Sequence, residues 1–435
     1  MHRNHSSLKR SRSPVVISED SSPVPQVDGA CLGRASKADV DDEPVEPARP
    51  APPQMPSFLK LTDIGNSPFY VKANEILTYI SETRDKYAEL TRLENERLSL
   101  SKTPGSEWAR LDPHPTLDRY NNIHPWANNR VKLQVPEGFN DYINASPVTL
   151  VSTSGVQSAL KSSIQDKYIC MQGPKKQTVD HVWHMVWHEV AVPYNSSPAV
   201  IIMLSPTHAP MPDDPNRLFE KCYQYYPVDE TSEPLHINET NELGEEFKAT
   251  VSFVSREPGI EGTEIEVRRL VMTVEGEDEE KPIWHYLYPN WPDFGALEEE
   301  NVASVLALME ISRIQNGKGE NPRVVHCSAG VGRTGTFVAL EFLVGELEGG
   351  AWEGWDDSPH AYPDPIYETV DQLRRQRKTM VQAYEQYAFL YEVCRKIWEE
   401  KYGAECVGGE HEHKGQEPRE KTDVCGTGLA GTGCD

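Results

Sequence analysis

The chain has 435 residues, of which 37% are hydrophobic and 26% charged, which is typical of one large globular domain with polar ends. Its formal net charge of −25 argues against general binding of nucleic acid or of an anionic membrane surface. The most apolar run, residues 199–204, is far shorter than the about 20 residues of a membrane-spanning helix, so we expect no membrane and no nucleic acid among its partners.

The cysteines and the N-terminus indicate the compartment. Eight cysteines are scattered along the chain, a spacing that favours free thiols in a reducing environment. The first seven residues are polar and lack the apolar core of a secretion signal. We therefore expect a cytoplasmic protein, with the nucleus as a second candidate location.

Composition divides the chain into three parts. Residues 1–57 are rich in Ser, Pro and charge, and residues 403–435 are rich in Gly and Glu, so both ends are predicted to be disordered. Residues 58–402 form the predicted domain. It opens with apolar residues at helical spacing from Ala73 to Leu90, which predicts a long amphipathic helix.

Strands and helices then alternate along the domain. The predicted strands are 131–133, 167–171, 199–204, 265–267, 283–287 and 324–326. The predicted helices are 178–189, 298–315, 336–348 and 366–377, and segments 152–163, 229–262 and 349–365 are predicted to be loops. This alternation predicts an α/β fold, a single domain with a central twisted mixed sheet flanked by helices.

A cysteine at one strand-to-helix junction carries the chemistry. An apolar strand at residues 324–326 runs into a small-residue loop and then a helix, so backbone N–H groups and the helix dipole converge to cradle a tetrahedral dianion. At the mouth of this cradle Cys327 is expected to have its pKa lowered from about 8.5 toward roughly 3.5–7.5, which makes it a nucleophile at neutral pH and a target of peroxide. Arg333 can hold two phosphate oxygens at once, and Thr334 can hydrogen-bond the sulfur.

Two other patterns in the sequence could indicate a dinucleotide-binding site and a metal site, but both are weak. Residues 330–335 match the dinucleotide-binding G-x-G-x-x-G pattern, but no second strand ending in an acid follows about twenty residues later. His181, His184 and His188 lie at helical spacing among apolar residues, without a completing carboxylate or cysteine, and favour a packed helix face. We expect no metal and no cofactor.

The segment from His326 to Gly335 resembles the active-site motif of the classical tyrosine-specific protein phosphatases, cysteine-based and of non-receptor type. The likeness extends through several motifs from Asp118 to Tyr391. It implies a catalytic domain that hydrolyses phosphotyrosine through a phosphocysteine intermediate. The implied catalytic residues in this segment are His326, Cys327, Arg333 and Thr334, and the implied phosphate-binding residues are Ser328, Ala329, Gly330, Val331 and Gly332.

Two further motifs resemble the loops that complete this catalysis. Trp291-Pro292-Asp293 is similar to the mobile acid loop, in which Asp293 protonates the leaving tyrosine oxygen. Residues 382–387 are similar to the water-positioning loop, in which Gln382 orients the attacking water and Gln386 assists.

The substrate-binding motifs match with departures. Residues 119–122 resemble the phosphotyrosine-recognition loop, where Tyr120 deepens the pocket, but Asn122 stands where many members carry Asp. Residues 221–225 also match, which implies a hydrogen bond from Lys221 to Asp293. The usual acidic partner upstream of Lys221 is replaced by Asn216, and Asp213 and Asp214 are the alternatives for its role.

Two alternative functions are compared with these motifs. An inactive phosphotyrosine-binding module on the same fold requires loss of Cys327, Arg333 or Asp293, and all three are present. A dual-specificity phosphatase is expected to lack the Tyr120 and Gln382 loops, and both are present.

The N-terminal tail suggests a partner. Residues 9–17 combine a basic cluster, Lys9, Arg10 and Arg12, with the apolar Val15 and Ile17, and resemble docking peptides for mitogen-activated protein kinases. These kinases are therefore candidate partners, besides phosphotyrosine proteins in general. A solvated tail or a nuclear-localisation signal explains the same residues.

Overall fold

The computed structural model describes residues 52–60, 69–152, 167–193, 198–211, 214–297, 299–317, 321–355, 358 and 363–403. Within helices α1 and α3, side chains are described from Ile80 and from Asn301 onward. The predicted tails lie outside these residues, except at their inner ends, and their proposed disorder stays a prediction.

Six helices and ten strands make up the described domain. The helices are α1 (Phe69–Leu100), α2 (Val179–Met185), α3 (Glu299–Gln315), α4 (Gly332–Glu348), α5 (Pro365–Gln376) and α6 (Tyr384–Tyr402). The strands are β1 (Ala145–Thr149), β2 (Lys167–Met171), β3 (Ala199–Met203), β4 (His208–Met211), β5 (Asp214–Glu220), β6 (Leu235–Ile237), β7 (Ala249–Glu257), β8 (Glu266–Val274), β9 (Lys281–Leu287) and β10 (Arg323–His326). None of the described helices is both long and apolar enough to cross a membrane.

Eight strands form one mixed sheet in the order β1-β2-β10-β3-β9-β8-β7-β6, and β4 and β5 form a separate hairpin. The four strands β2, β10, β3 and β9 are parallel to their neighbours within this group, and the remaining pairs are antiparallel. Parallel strands are buried on both faces, which explains why all five positions of β3 are apolar and buried. The predicted α/β fold with a mixed sheet is confirmed.

The two faces of the sheet have separate hydrophobic cores. Val200 and Ile202 pack with residues of α3 to α6, whereas Ile201 and Met203 pack with residues of α2. This alternation is the period of two expected for a strand covered on both sides. One face is thus covered by four helices and the other by the short α2, which continues as a π-helical segment, Val186–Ala191.

Strand β1 is an outer strand of the sheet, and its outward-facing backbone groups bond to other parts of the chain. Gln376 on α5 donates its amide to Thr149 O (2.8 Å) and accepts from Thr149 N (2.8 Å). Gln372, one turn earlier, makes the same pair of bonds with Val151. The side-chain amide of Asn129 donates to Pro147 O (3.0 Å), and the backbone of Val131 donates to Ala145 O (3.0 Å).

Several predicted elements were wrong. The predicted strand at 131–133 is reduced to one bridge between Lys132 and Tyr142. Its backbone N–H groups bond instead to Ala145 O, at the start of β1, and to Asp141 O. The predicted loop at 229–262 contains β6 and β7, whose half-exposed faces hide the apolar alternation. Strands β1, β4 and β5 and helix α6 were not predicted as elements. The predicted loop at 152–163 lies outside the described residues apart from Ser152.

Candidate active site

The loop between β10 and α4 lies at the carboxyl edge of the parallel strands, where ligands bind in open α/β sheets. It turns through Gly330, whose φ of +70° is left-handed, and a Cβ there would lie 1.9 Å from Met171 O. The buried guanidinium of Arg377 donates to Gly330 O (2.8 Å) and to Asn144 Oδ1 (2.9 Å). The loop therefore has one conformation, fixed by neighbours on two sides, and α4 begins at its end with its N-terminus pointing into it.

Cys327 lies at the start of this loop and its side chain is buried. Its Sγ accepts a hydrogen bond from Gly330 N (3.2 Å). Burial alone raises the pKa of the Cys327 thiol, but the charge of Arg333, together with the neighbouring polar groups of Thr334 and Gly330, outweighs it and holds the pKa below its ordinary value. These groups favour the thiolate, which is the nucleophilic form.

Arg333, in the first turn of α4, connects two loops. One is the cysteine loop, residues 327–331, and the other is the acid loop around residues 291–293. Its guanidinium donates to Trp291 O (3.0 Å) and pairs with Asp293 Oδ1 (2.5 Å). The ammonium of Lys221 pairs with the other oxygen, Asp293 Oδ2 (2.5 Å). The Asp293 carboxylate is thus held over the cavity by two cations from different elements.

Tyr120 forms one wall of the cavity. Ser328 Oγ donates to Lys221 O (2.9 Å), so the Tyr120 hydroxyl is the donor in its 2.8 Å bond with Ser328 Oγ. The preceding Arg119 fixes the loop by donating to Gly173 O (2.9 Å) and Pro174 O (2.6 Å). These bonds hold the aromatic ring beside the start of the cysteine loop.

The opposite wall is the segment before α6. Gln386 Oε1 accepts from the backbone N–H of Gln382 (3.0 Å) and of Ala383 (3.2 Å). The Gln386 side chain is buried. This acceptor satisfies N–H groups at the start of α6 and leaves the Gln382 side chain on the cavity wall.

A cavity of about 370 Å³ connects these groups. Of the predicted site residues it is lined by Tyr120, Asn122, Lys221, Asp293, Cys327, Ser328, Ala329, Gly332, Arg333, Gln382 and Gln386. Gly330 and Val331 contribute backbone behind the cavity surface, and Thr334 is buried under it. An apolar rim, which the sequence did not single out, is formed by Ile123, Pro210, Met211, Phe219 and Phe294.

His326 lies behind the site and does not line the cavity. Its Nδ1 bonds to Cys327 O (3.2 Å), so Nε2 is the acceptor for the Tyr225 hydroxyl (2.8 Å). Tyr225 in turn accepts from His285 Nε2 (2.9 Å). Burial lowers the pKa of His326 to about 4, so this buried chain is uncharged at neutral pH and orients the Cys327 backbone.

Sequence reasoning assigned no role to the residues that support the site from behind, although Arg119 and Tyr225 lie in motifs that it named. Arg377 and Arg119 act through hydrogen bonds to backbone oxygens, and Tyr225 acts through its bond to the His326 side chain; no periodicity marks such roles. The alternatives for the acidic residue near Lys221 remain unassigned: Asp214 accepts from Asn216 N (3.0 Å) within β5, and Asp213 lies outside the described residues. His181 and His184 are buried, and His184 packs against Phe247, in keeping with a packed helix face.

Comparison with known proteins assigns the family. Residues 114–396 match the family model described as protein-tyrosine phosphatase. The chain is 31% identical over 355 residues to tyrosine-protein phosphatase 1 of Saccharomyces cerevisiae, covering 76% of this chain and 97% of that protein. It is 28% identical to tyrosine-protein phosphatase 1 of Schizosaccharomyces pombe, covering 71% of this chain and 50% of that protein.

A solved structure agrees on the fold. The crystal structure of the catalytic domain of human protein tyrosine phosphatase non-receptor type 18 aligns with a TM-score of 0.53 at 21% identity, covering 74% of this chain and 98% of that one. The family model spans well over half of the chain, and the first yeast relative is matched over almost its full length. The chain therefore belongs to the protein-tyrosine phosphatase family and is a protein-tyrosine phosphatase.

Proposed function

We propose that this enzyme hydrolyses phosphotyrosine in proteins through a phosphocysteine intermediate on Cys327. The observation that supports this most strongly is one cavity that holds a buried cysteine with a lowered pKa, the Arg333 guanidinium, the Asp293 carboxyl group and the Gln382 amide. A nucleophile, an anion-binding group, an acid and a water-positioning group are the four parts that such a double displacement needs.

In the first step the Cys327 thiolate attacks phosphorus, and the bond from phosphorus to the tyrosine oxygen breaks. Asp293 gives its proton to that oxygen, so tyrosine leaves as a neutral phenol. Loop N–H groups and free donors of Arg333 bind the phosphoryl oxygens, because the guanidinium has five N–H groups.

In the second step a water held by Gln382 attacks the phosphocysteine. Asp293, now a carboxylate, takes a proton from that water, the P–S bond breaks, and Cys327 returns as the thiolate with release of inorganic phosphate. Thr334 and Gly330 N–H, which lower the pKa of the cysteine, also make the sulfur a better leaving group.

The test is to mix the enzyme with a phosphotyrosine peptide, quench with acid, and map the phosphoryl group by mass spectrometry. We expect one phosphoryl group on Cys327, with hydrolysis of phosphotyrosine and none of a matched phosphothreonine peptide, since Tyr120 deepens the pocket. Activity on both peptides would favour a dual-specificity enzyme, and activity on neither would favour a binding module.

The low pKa of Cys327 also supports reversible control by oxidation. Peroxide converts a thiolate to a sulfenic acid, with hydroxide as the other product. We expect mild peroxide to inactivate the enzyme, a thiol to restore it and phosphate to protect it. Resistance at peroxide concentrations that modify exposed thiols would contradict this.

For the cellular role we propose signalling in the cytoplasm, with the nucleus as a second location, and mitogen-activated protein kinases as substrates docked by residues 9–17. That segment lies outside the described residues, and its basic and apolar sequence is the support. The test is binding of a peptide covering residues 7–18 to such kinases, with Arg10→Glu and Ile17→Ala peptides as controls. Equal binding by all three peptides, or none by the wild type, would remove the proposal.

A further inference from the structure

The segment between α5 and α6 has an unusual backbone. Thr379 and Val381 are β-branched, yet their φ angles are +67° and +56°. L-residues with a branched Cβ avoid this left-handed region, and such conformations persist only where the surroundings hold them. Gln382 follows Val381 directly, so the geometry of the proposed water-positioning residue depends on whatever holds this segment.

Three side chains hold it. Glu94 accepts from Thr379 N (2.8 Å) and from the Thr379 hydroxyl (3.2 Å) through its two oxygens. The buried guanidinium of Arg374 donates to Met380 O (3.1 Å) and Val381 O (3.0 Å). The hydroxyl of Tyr87 donates to Gln382 O (2.5 Å). Glu94 and Tyr87 both come from α1, far away in the sequence from the cysteine loop.

Helix α1 is itself firmly docked. Arg97 pairs with Asp371 on α5 (2.5 Å), a largely buried contact, and Lys86 pairs with Asp364 (2.7 Å). The Tyr87 ring lies 5.1 Å from the Arg374 guanidinium. These contacts fix the position of the Tyr87 hydroxyl, as is required of a residue that positions another.

We propose that Tyr87 and Glu94 of α1 are positioning residues for the second step, because they fix the backbone that aims Gln382 at the phosphocysteine. Both backbone ends of Gln382 are then anchored, its carbonyl by Tyr87 and its N–H by Gln386 Oε1 (3.0 Å). Neither α1 residue lines the cavity. This inference rests on the proposed phosphocysteine mechanism.

The experiment measures the fraction of enzyme present as phosphocysteine during steady-state turnover of p-nitrophenyl phosphate, by acid quench and mass spectrometry. In Tyr87→Phe we expect hydrolysis of the intermediate to slow about 2- to 10-fold, the equivalent of one net hydrogen bond. The phosphocysteine fraction should rise and kcat fall, while the rate of p-nitrophenol release in a single turnover and the inhibition constant of phosphate stay close to wild type.

The matched control is Tyr384→Phe. Its hydroxyl bonds to Thr83 of α1 (3.0 Å), so the variant removes a bond that α1 makes with the start of α6 and leaves the bond from Tyr87 to Gln382 in place. Glu94→Gln is a second test variant, and Gln382→Ala is the positive control for a slow second step. Thermal unfolding of each variant checks that the fold is intact.

A raised phosphocysteine fraction in Tyr87→Phe and Glu94→Gln, but not in Tyr384→Phe, supports the proposal. An equal rise in Tyr384→Phe overturns it, since general docking of α1 would explain the effect. A rise in Gln382→Ala alone overturns it and leaves the mechanism standing. No phosphocysteine in any variant, Gln382→Ala included, overturns the mechanism and this inference together.

Discussion

The cysteine loop and the acid loop face each other across one cavity but are held in opposite ways. Residues 327–331 are held by main-chain bonds, such as Gly173 N to Ser328 O (2.8 Å), and by the buried Arg377. The acid loop is anchored by the buried Trp291, and beyond it Asp293 and Phe294 are exposed, Phe294 by 59%. There the holding contacts are two ion pairs to one carboxylate.

This difference fits the role that the proposed mechanism gives to each loop. An anion cradle works best when its donors are fixed before the charge arrives. An acid on a closing loop must let substrate enter and product leave. Partly exposed ion pairs are weak, so they can hold the acid loop closed and still release it.

The largest effect is expected from Cys327→Ser. Turnover should fall on the order of 10⁴-fold or more, because the serine hydroxyl lacks the lowered pKa of the thiol. Binding of phosphate, measured by calorimetry, should survive, since the cradle is built from backbone and Arg333. Near-normal turnover would contradict the role of Cys327, and lost phosphate binding would contradict a preformed cradle.

The acid loop should respond more weakly. Asp293→Ala should lower kcat for phosphotyrosine peptides about 10²- to 10⁴-fold, the usual worth of general acid catalysis. The loss should shrink for aryl phosphates with more acidic phenols, which need no proton to leave. Asp293→Asn keeps the shape but cannot supply the proton, so it should match Ala. A loss that is equal for all leaving groups would count against the acid role.

Rigidity of the cradle can be tested at Gly330. Gly330→Ala places a Cβ against Met171 O, and we expect it to lower the free energy of unfolding by about 2–4 kcal/mol. The control is Gly354→Ala, because Gly354 has the same φ of +70° with nothing within 4 Å of the added Cβ. Denaturant titration of both variants separates the collision from the strain of a left-handed alanine. Equal losses would show that the cradle has room to move.

The smallest effect is a loss of folding stability at low pH, caused by the buried His326 behind the cysteine loop. The folded pKa of His326 is about 4 and its ordinary value 6.5, so between these values only the unfolded chain takes up the proton. Stability from this group is complete above pH 6.5 and lost as the pH falls toward 4, about 2 kcal/mol between pH 7 and pH 5. Urea titrations at pH 7 and pH 5 should show that the free energy of unfolding falls less in His326→Gln than in the wild type. An unchanged loss would show that His326 does not titrate in this way.

The same contrast explains what sequence could and could not predict. The roles of Cys327 and Arg333 were predicted from their types and spacing at a strand-to-helix junction, and that of Asp293 from its resemblance to the acid loop. Strand β3 was predicted because a buried parallel strand is continuously apolar, and β10 because Val324 and Val325 keep that pattern at its centre. The supporting contacts of Arg377 and Tyr225 were not predicted, because a contact between segments far apart in sequence leaves no periodic trace. β6 and β7 were missed because tertiary pairing, and not local propensity, sets a half-exposed strand.

One feature outside the active-site cavity bears on how copies of this protein behave together. An outer strand with free N–H and C=O groups is a template for another chain. The outward-facing groups of Ala145, Pro147 and Thr149 in β1, and of Val151 just after it, are already bonded, those of Thr149 and Val151 through glutamine amides that imitate a neighbouring strand. Helix α5 thereby closes this edge of the sheet to strand exchange and to growth of aggregates, without a further strand.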